Sequence, residues 1–279
     1  MKLGILTSHP IQYQSPWFRE LAKVVDLEVF YGHQQSAMEQ GAAGFGVAFE
    51  WDVDLFAGFK HRFLKNVSPH PDVGHFFGCD TPELAGIIEA GKFDAFIVSG
   101  WHLKAYWQAV RACRRAGVPV FARGDSQMLT PRSWLKRCIK ELVYRPMLRQ
   151  FDGFLVVGLR NQEYLTYYGV PKHKQFFVPH VVNNDWFAAQ AALSRPGRSD
   201  FRRQMGIAED ALAVLFVGKF LPGKRPADVL YALARLKIRG VKSAGVFVGA
   251  GEIEPRLRSL AKSLDVNVWF AGFQNQSAL

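Results

Sequence analysis

The feature that most constrains this chain is a repeated alternation of short apolar runs and longer amphipathic patterns. An apolar run at residues 3–6 is followed by a helical pattern over 17–25 and by a second apolar run at 27–31. Runs of strand length that alternate with apolar residues at helical spacing are typical of a parallel sheet with helices on its faces. The sequence therefore predicts an α/β protein.

The alternation occurs in two blocks, which predicts two Rossmann-like lobes at residues 1–182 and 206–279. Between them, residues 183–205 lose periodicity and contain clustered helix breakers at 194–199, as expected of an interdomain linker. The second block supplies few elements, so we expect an incomplete lobe with an exposed sheet edge and early protease cleavage after about residue 205. The predicted elements are strands at 3–6, 27–31, 94–98, 118–122, 154–157, 176–178, 214–217, 245–248 and 266–271, and helices at 17–25, 82–90, 103–116, 131–150, 162–168, 226–239 and 252–264.

Residues 32–79 break any sustained period, and we predict an irregular segment with short extended pieces, of the kind that forms binding loops or lids. Asp52 and Asp54 alternate with apolar residues there. That spacing is compatible with a Mg²⁺ site or with the solvated face of a strand. We predict the solvated face, and no metal site in the chain.

The charge of the chain points to an acidic partner. The formal net charge is +11, and seven lysines and arginines against two carboxylates fall within residues 123–149. A nucleic acid, an anionic membrane and a phosphorylated small molecule all fit that sign. No nucleic-acid-binding motif is present, which disfavours the first.

One basic helix, over residues 131–150, is predicted to start after a Thr130 cap with Pro131 in its first turn. Its apolar residues either pack on the sheet or lie on anionic lipid, and peripheral membrane contact through this basic surface stays open. The apolar stripe comprises Leu135, Cys138, Ile139, Leu142 and Val143.

The N-terminal residues lack the apolar core of a signal peptide, and no apolar run approaches the roughly 18–20 residues of a membrane span. We expect a cytoplasmic protein, or one at the inner face of the membrane. Cys79, Cys113 and Cys138 are odd in number and widely spaced, which argues against disulfides or zinc. Cys113 and Cys138 lie on helical patterns, where buried structural cysteines are expected.

The segment at 216–226 carries the strongest chemical signal. A buried strand runs into Gly218, and Lys219 and Lys224 follow before a helix. Backbone amides at such a helix start and two cations can bind phosphate oxygens. A solvated basic turn is the alternative. Gly249 and Gly251 recur at the next strand end, where they permit either close approach of a ligand or tight packing.

Polar residues also follow the strands of the first lobe. Ser8, His9 and Gln12 follow the first strand, and His102 follows the strand at 94–98. Arg123 and Asp125 follow the strand at 118–122, where they line a cleft or pair with each other. The carboxyl ends of parallel strands are the usual place for ligands. His9 is a contact residue or an ordinary loop histidine, and His102 a site residue or a structural one.

Taken together, these motifs resemble the retaining family 4 glycosyltransferases of the GT-B fold. Lys219 and Lys224 match the spacing of the family's donor-diphosphate motif, with lysine in place of its arginine. Gly249 and Gly251 resemble its next turn near the nucleotide. Residues 179–183 with Phe187 resemble the segment that closes the first lobe, although the family's glycine and aspartate are replaced. The loop after the first strand lacks the family's paired glycines.

The resemblance implies transfer of a sugar from a nucleotide diphosphate sugar to an acceptor hydroxyl with retention, in polysaccharide or glycolipid biosynthesis. It implies catalytic roles for His102, Lys219 and Lys224, donor contacts for Gly218, Gly249 and Gly251, and no cofactor besides the donor substrate. The acceptor would be a saccharide, a lipid-linked sugar or a small molecule. The family's paired glutamates would follow residue 279, so we expect the chain as given to be inactive. A noncatalytic two-lobed protein that binds nucleotide sugars or phospho-ligands is the alternative.

Overall fold

The computed structural model describes residues 1–129 and 133–278, and for Lys136 and Arg137 it describes the backbone alone. The chain divides into two compact units. Residues 1–34 and 55–182 form the first unit, and residues 35–54 with those from 183 onward form the second. The predicted helix start, with Thr130 as its cap and Pro131 in its first turn, lies outside the described residues.

The first unit is built on one parallel sheet of seven strands in the order β3-β2-β1-β4-β5-β6-β7. β1 sits between β2 and β4, so the chain winds outward from it in both directions. The strands are β1 (Lys2–Thr7), β2 (Asp26–Tyr31), β3 (Lys60–Phe63), β4 (Ala95–Val98), β5 (Val120–Gly124), β6 (Gly153–Val156) and β7 (Gln175–Phe177).

Helices cover the two faces of this sheet and bury a separate apolar cluster on each. One cluster centres on Ile5, Phe18 and Val29, and the other on Phe96, Tyr106 and Phe154. The helices are α1 (Ser15–Ala22), α3 (Leu84–Gly91), α4 (Lys104–Ala116), α5 (Trp134–Leu148) and α6 (Leu159–Tyr167), with short 3₁₀ helices at Phe76–Gly78 and Lys172–Lys174.

The second unit has a three-stranded parallel sheet in the order β10-β9-β8. Phe220, Leu230 and Phe247 form the centre of its core. Its strands are β8 (Leu212–Val217), β9 (Ser243–Val248) and β10 (Val268–Gly272); its helices are α2 (Ala37–Ala42), α7 (Asn184–Ser194), α8 (Arg198–Gln204), α9 (Ala227–Ile238) and α10 (Glu254–Ser263), and its 3₁₀ helices are Arg195–Gly197, Pro222–Lys224 and Gln276–Ala278.

The segment predicted to be irregular contains regular structure. α2 begins at a capping box in which Ser36 and Glu39 each satisfy the other's backbone amide. β3 extends the large sheet by one strand. Neither Asp52 nor Asp54 lies on a strand, so the predicted strand face is wrong. The Asp52 carboxylate accepts a hydrogen bond from the backbone amide of Ser277 at 3.2 Å.

Residues 183–205, predicted as a linker without periodicity, are mostly helical. Asn183 caps α7 by accepting a hydrogen bond from the amide of Trp186 at 3.0 Å. The breakers at 194–199 mark the short 3₁₀ turn between α7 and α8.

Two of the three cysteines are buried and one is exposed. Burial raises the pKa of Cys79 to about 11 and that of Cys113 to about 12, so both are neutral thiols at physiological pH. Cys138 is exposed on α5, so the expectation of a buried helical cysteine is wrong there. Among the described helices, none combines the length and the apolarity needed to cross a bilayer.

Candidate functional site

A cavity of about 260 Å³ opens in the first unit where β1, β4 and β5 end. β1 and β4 are neighbours whose connections leave in opposite directions, and open α/β sheets bind ligands at this switch point. The fold thus places the cavity where the polar loops of three strands converge. Its lining consists of Thr7, Ser8, His9, Ile11, Tyr13, Gln14, Val73, Ser99, His102, Tyr106, Arg123, Gly124, Asp125 and His180.

His102 lines this cavity through a tight turn after β4. Its Nε2 lies 3.3 Å from the carbonyl oxygen of Val73, which places the proton of the neutral ring on Nε2 and leaves the Nδ1 lone pair available. Desolvation by the surrounding protein lowers the pKa of His102, although the Val73 carbonyl and Asp125 act in the opposite direction. Gly100 has a φ of +115°, and a Cβ there would lie 3.2 Å from His102 Nδ1. A glycine therefore leaves room for the imidazole.

Arg123 points into the cavity from the end of β5. Its guanidinium donates to the carbonyl of Pro179 at 3.2 Å and lies 5.0 Å from the centre of the Trp17 ring. Its buried Nε has no hydrogen-bond partner among the residues that the structure describes. Burial lowers the pKa of Arg123, whereas Tyr13 and Asp125 act in the opposite direction.

The loop after β1 supplies the third wall. Ser8 Oγ lies 2.9 Å from His9 Nδ1, and Ser8 also hydrogen-bonds with the buried Tyr106. Ser8 and His9, predicted as cleft residues, therefore line the cavity together with His102, Arg123 and Asp125. Gln12 is not among the lining residues, since Ile11, Tyr13 and Gln14 take that position.

Sequence reasoning missed Tyr13 and His180 as lining residues. Their rings meet edge to face with centroids 6.2 Å apart. Burial raises the pKa of Tyr13 and lowers that of His180, and Arg123 further lowers the His180 pKa. Tyr13 was visible within the loop after the first strand, whereas only the fold brings His180 back to it.

The predicted phosphate loop of the second unit connects β8 to α9. Lys224 is exposed on the 3₁₀ helix Pro222–Lys224, just before α9. Lys219 Nζ donates to the carbonyl of Ala43 and lies 4.7 Å from the centre of the Phe45 ring. Partial burial lowers the pKa of Lys219, and the charge of Lys224 lowers it further.

Gly249 and Gly251 serve close packing of two backbone turns. A Cβ on Gly249 would lie 2.0 Å from the carbonyl oxygen of Gly218, and one on Gly251 would lie 2.6 Å from that of Phe220. The turns are joined by hydrogen bonds from the amide of Gly218 to Val248 and of Phe220 to Ala250, each 2.9 Å long. The glycines therefore hold the phosphate loop against the β9 turn.

Chemically, the cavity of the first unit offers a neutral imidazole with a free lone pair, a guanidinium and the hydroxyls of Ser8 and Tyr13, groups that bind and orient a polar molecule. The second unit offers the ammonium groups of Lys219 and Lys224 on the loop that precedes α9, and such cations favour an anion. In residues 1–129 and 133–278, no cluster of three or more His, Cys, Asp or Glu side chains could hold a metal.

Comparison with known proteins gives one sequence relative of known class. No family model matches the chain. A stretch of 76 residues is 37% identical to a D-inositol 3-phosphate glycosyltransferase from Geodermatophilus obscurus. This match covers 27% of the chain and 15% of that protein, far less than two thirds of its length.

Solved structures share the architecture over almost the whole chain. HepE from Anabaena in complex with UDP aligns with a TM-score of 0.66 and 14% identity, covering 98% of this chain and 70% of that one. A glycosyltransferase from Rickettsia africae aligns with a TM-score of 0.66 and 11% identity, covering 98% and 68%. Identities this low show a common fold. The predicted α/β class with two Rossmann-like, GT-B-type lobes is confirmed.

Proposed function

We propose that this protein transfers a glycosyl group from a nucleoside diphosphate sugar to an acceptor hydroxyl. The observation that carries the proposal is the loop between β8 and α9, in which Lys219 follows the strand and Lys224 lies on the 3₁₀ helix just before α9, since two ammonium groups at a strand-to-helix turn suit a diphosphate. The short match to a glycosyltransferase and the shared fold with a UDP-bound protein support it.

In this reaction the bond between the anomeric carbon and the diphosphate oxygen breaks, and the departing oxygen keeps the electron pair. The acceptor oxygen forms the new bond at the same carbon and passes its proton to the departing diphosphate oxygen. Lys224 and Lys219 stabilise the negative charge that grows on the diphosphate as it leaves. We propose that these cations take the part that a metal plays elsewhere, so that the donor is a substrate and no separate cofactor is required.

The cavity of the first unit suits the acceptor. Ser8, Tyr13 and Asp125 offer hydrogen bonds to sugar hydroxyls, and His102 stays neutral near pH 7 because crowding lowers its pKa. A neutral imidazole can bind a hydroxyl without bringing a second positive charge next to Arg123. The resemblance to family 4 enzymes adds the proposal that the anomeric configuration is retained.

Membrane contact and a location at the inner face of a membrane belong to the same proposal. The support is the excess of positive charge and the exposed apolar side of α5. An acceptor carried on a lipid would be reached from such a position.

Donor release tests the reaction. The intact protein is incubated with a panel of nucleoside diphosphate sugars and with hydroxyl acceptors, and release of the nucleoside diphosphate is followed by a coupled assay. We expect release with at least one donor, accelerated by acceptor, and NMR of the product should show the anomeric configuration of the donor. Donor binding in calorimetry with no release under any condition would establish the noncatalytic alternative instead.

A further inference from the structure

The helix α5 exposes the side that its sequence pattern would bury. Leu142 is 78% exposed, Leu135 and Ile139 are each 54% exposed, and Val143 is 51% exposed. By contrast, α4 buries its apolar side chains, including Tyr106, Val110 and Cys113. α5 therefore presents an apolar stripe to the surroundings of the first unit.

The opposite side of α5 explains this orientation. Lys140 Nζ lies 4.4 Å, 4.7 Å and 5.3 Å from the ring centres of Tyr144, Tyr164 and Tyr168, so its charge packs against three aromatic faces. Tyr144 and Met147 pack against the apolar cluster of that sheet face. The stripe from Leu135 to Val143 lies on the other side of the helix, where its apolar side chains are exposed.

A second cavity, of about 230 Å³, lies at the C-terminal end of α5. Arg145, Arg149 and Lys174 line it, and its apolar wall includes Phe151, Phe154 and Tyr168. Its lining contains no carboxylate. Lys174 Nζ is held by the carbonyl of Phe151 at 3.3 Å, which orients one of the three cations. The cavity suits an anionic group with an apolar portion.

The position of this cavity separates it from the candidate site. Phe151 and Phe154 lie at the beginning of β6, whereas the cavity lined by His102 and Arg123 lies where β4 and β5 end. In a parallel sheet all strands start on one side and end on the other, so the two cavities lie at opposite ends of the strands. A ligand of the basic cavity is therefore distinct from a ligand of the candidate site.

We propose that the stripe on α5 and the adjacent basic cavity form one docking site for an anionic lipid surface, in which the cavity receives a lipid phosphate. Arg145 and Arg149 lie one and two turns along the helix from Leu142, so one bilayer surface supplies both the apolar phase for the stripe and the phosphate for the cations. Arginine guanidinium groups bind phosphate oxygens in pairs. This inference rests on the proposed membrane contact and names the residues and the headgroup chemistry that would mediate it.

Vesicle co-sedimentation of the full chain tests the site. The wild-type protein should bind vesicles that contain phosphatidylglycerol and bind phosphatidylcholine vesicles weakly. Leu142→Glu should abolish binding to both. The double variant Arg145→Gln/Arg149→Gln should reduce affinity for anionic vesicles by about 25-fold, since each basic residue near such a surface contributes about fivefold. It should leave the weak binding to neutral vesicles unchanged.

Matched controls use exposed residues of the second unit. Ile238 is 86% exposed and Arg235 is exposed on α9. Ile238→Glu and Arg235→Gln should bind vesicles as the wild type does. All of these positions are on the surface, so circular dichroism should show that every variant is folded.

Three results would overturn the proposal. Equal binding of the double variant and the wild type to anionic vesicles would remove the phosphate role of the cavity while leaving membrane contact in place. If inorganic phosphate protected Arg145 and Arg149 from an arginine-modifying reagent and the protein bound no vesicles, the cavity would be assigned to a soluble anion. A wild-type dimer in light scattering that Leu142→Glu converts to a monomer would assign the stripe to a second copy. Nucleoside diphosphate release, assayed without vesicles, reports on the transfer reaction separately.

Discussion

The two units position their candidate functional groups in different ways. In the first unit, side chains from three strand ends surround a formed cavity, and main-chain carbonyls hold His102 and Arg123 in place. In the second, the cations lie on one loop, where Lys224 is exposed and Lys219 is bound by Ala43 of the same unit. The first unit thus provides a formed cavity, and the second provides positive charge on a loop. A polar molecule without charge suits the former, and an anion the latter.

The largest expected effect tests the charge of the second unit. Lys224→Ala should reduce donor turnover by about 10²–10³-fold, because removing one donor aimed at developing charge typically has that effect. Steady-state release of nucleoside diphosphate measures it. Lys262→Ala, at an exposed position of α10, is the control and should retain full turnover. Unchanged turnover in Lys224→Ala would refute the assignment of this loop to the donor.

The packing of the phosphate loop should give the next largest effect. Gly249→Ala should lower the free energy of unfolding of the second unit by about 2–3 kcal/mol, because the residue has a φ of +138° and its Cβ would meet the Gly218 carbonyl. Urea denaturation with hydrogen exchange of β8 and β9 measures it. Gly223→Ala, with open space around it, should change stability by less than about 0.5 kcal/mol. Equal stability of the two variants would show that the turns can separate.

The next prediction concerns the pH dependence of the stability of the first unit. Crowding lowers the pKa of His102 below its unfolded value, so the native state binds fewer protons there than the unfolded state does. This contribution to stability is complete above the unfolded pKa of about 6.5 and is lost as the pH falls through the folded pKa. One proton gives a slope of at most about 1.4 kcal/mol per pH unit, and because His102 is exposed, solvent screening keeps its contribution well below that limit.

Urea denaturation between pH 7.5 and 5 measures this slope. His102→Gln should flatten it, and His173→Gln, at an exposed position on the 3₁₀ helix Lys172–Lys174, should leave it unchanged. The same slope in His102→Gln and wild type would mean that His102 is protonated equally in both states.

The smallest effect concerns the contact that holds Lys219. Phe45 lies under the ammonium group and packs edge to face with Phe49 and Phe273, with centroids 5.1 Å and 5.2 Å away. Phe45→Leu should lower the free energy of unfolding of the second unit by about 1 kcal/mol, because leucine loses the cation–π contact and the edge-to-face geometry of both aromatic pairs but keeps part of the apolar contact. Hydrogen exchange of residues 35–54 should rise, while Met38→Leu, at an exposed position of α2, should leave it unchanged.

Most of the fold was predictable because buried parallel strands are nearly continuous apolar runs. β1, β4 and β9 were read directly from such runs. β3 was missed because it is an edge strand with the sequence Lys60–Phe63, three polar residues and one aromatic, which carries no such signal. α2 had a readable signal in Ser36 and Glu39, the two ends of a capping box, but its helix is too short to show a period.

The candidate site was predictable only in part. The rule that ligands bind at the carboxyl ends of parallel strands identified Ser8, His102 and Arg123, because each lies at or shortly after the carboxyl end of a strand. His180 follows β7, which is three strands away from β4 in the sheet, so only the course of the chain after β7 brings it to the cavity. No local pattern marks such a return.

By itself, the sequence determined most of the strands and helices, although not β3, α2, α7 or α8. It also determined the glycine turns and the cations of the phosphate loop, because these depend on local periodicity and on neighbouring residues. Tertiary structure alone decided which side of α5 faces outward, since its apolar stripe would be expected to face the sheet. Lys140 packed against three tyrosines turns the helix the other way. It also decided that Lys219 is held by Ala43, because that contact joins residues 176 positions apart, and sequence periodicity carries no information over such distances.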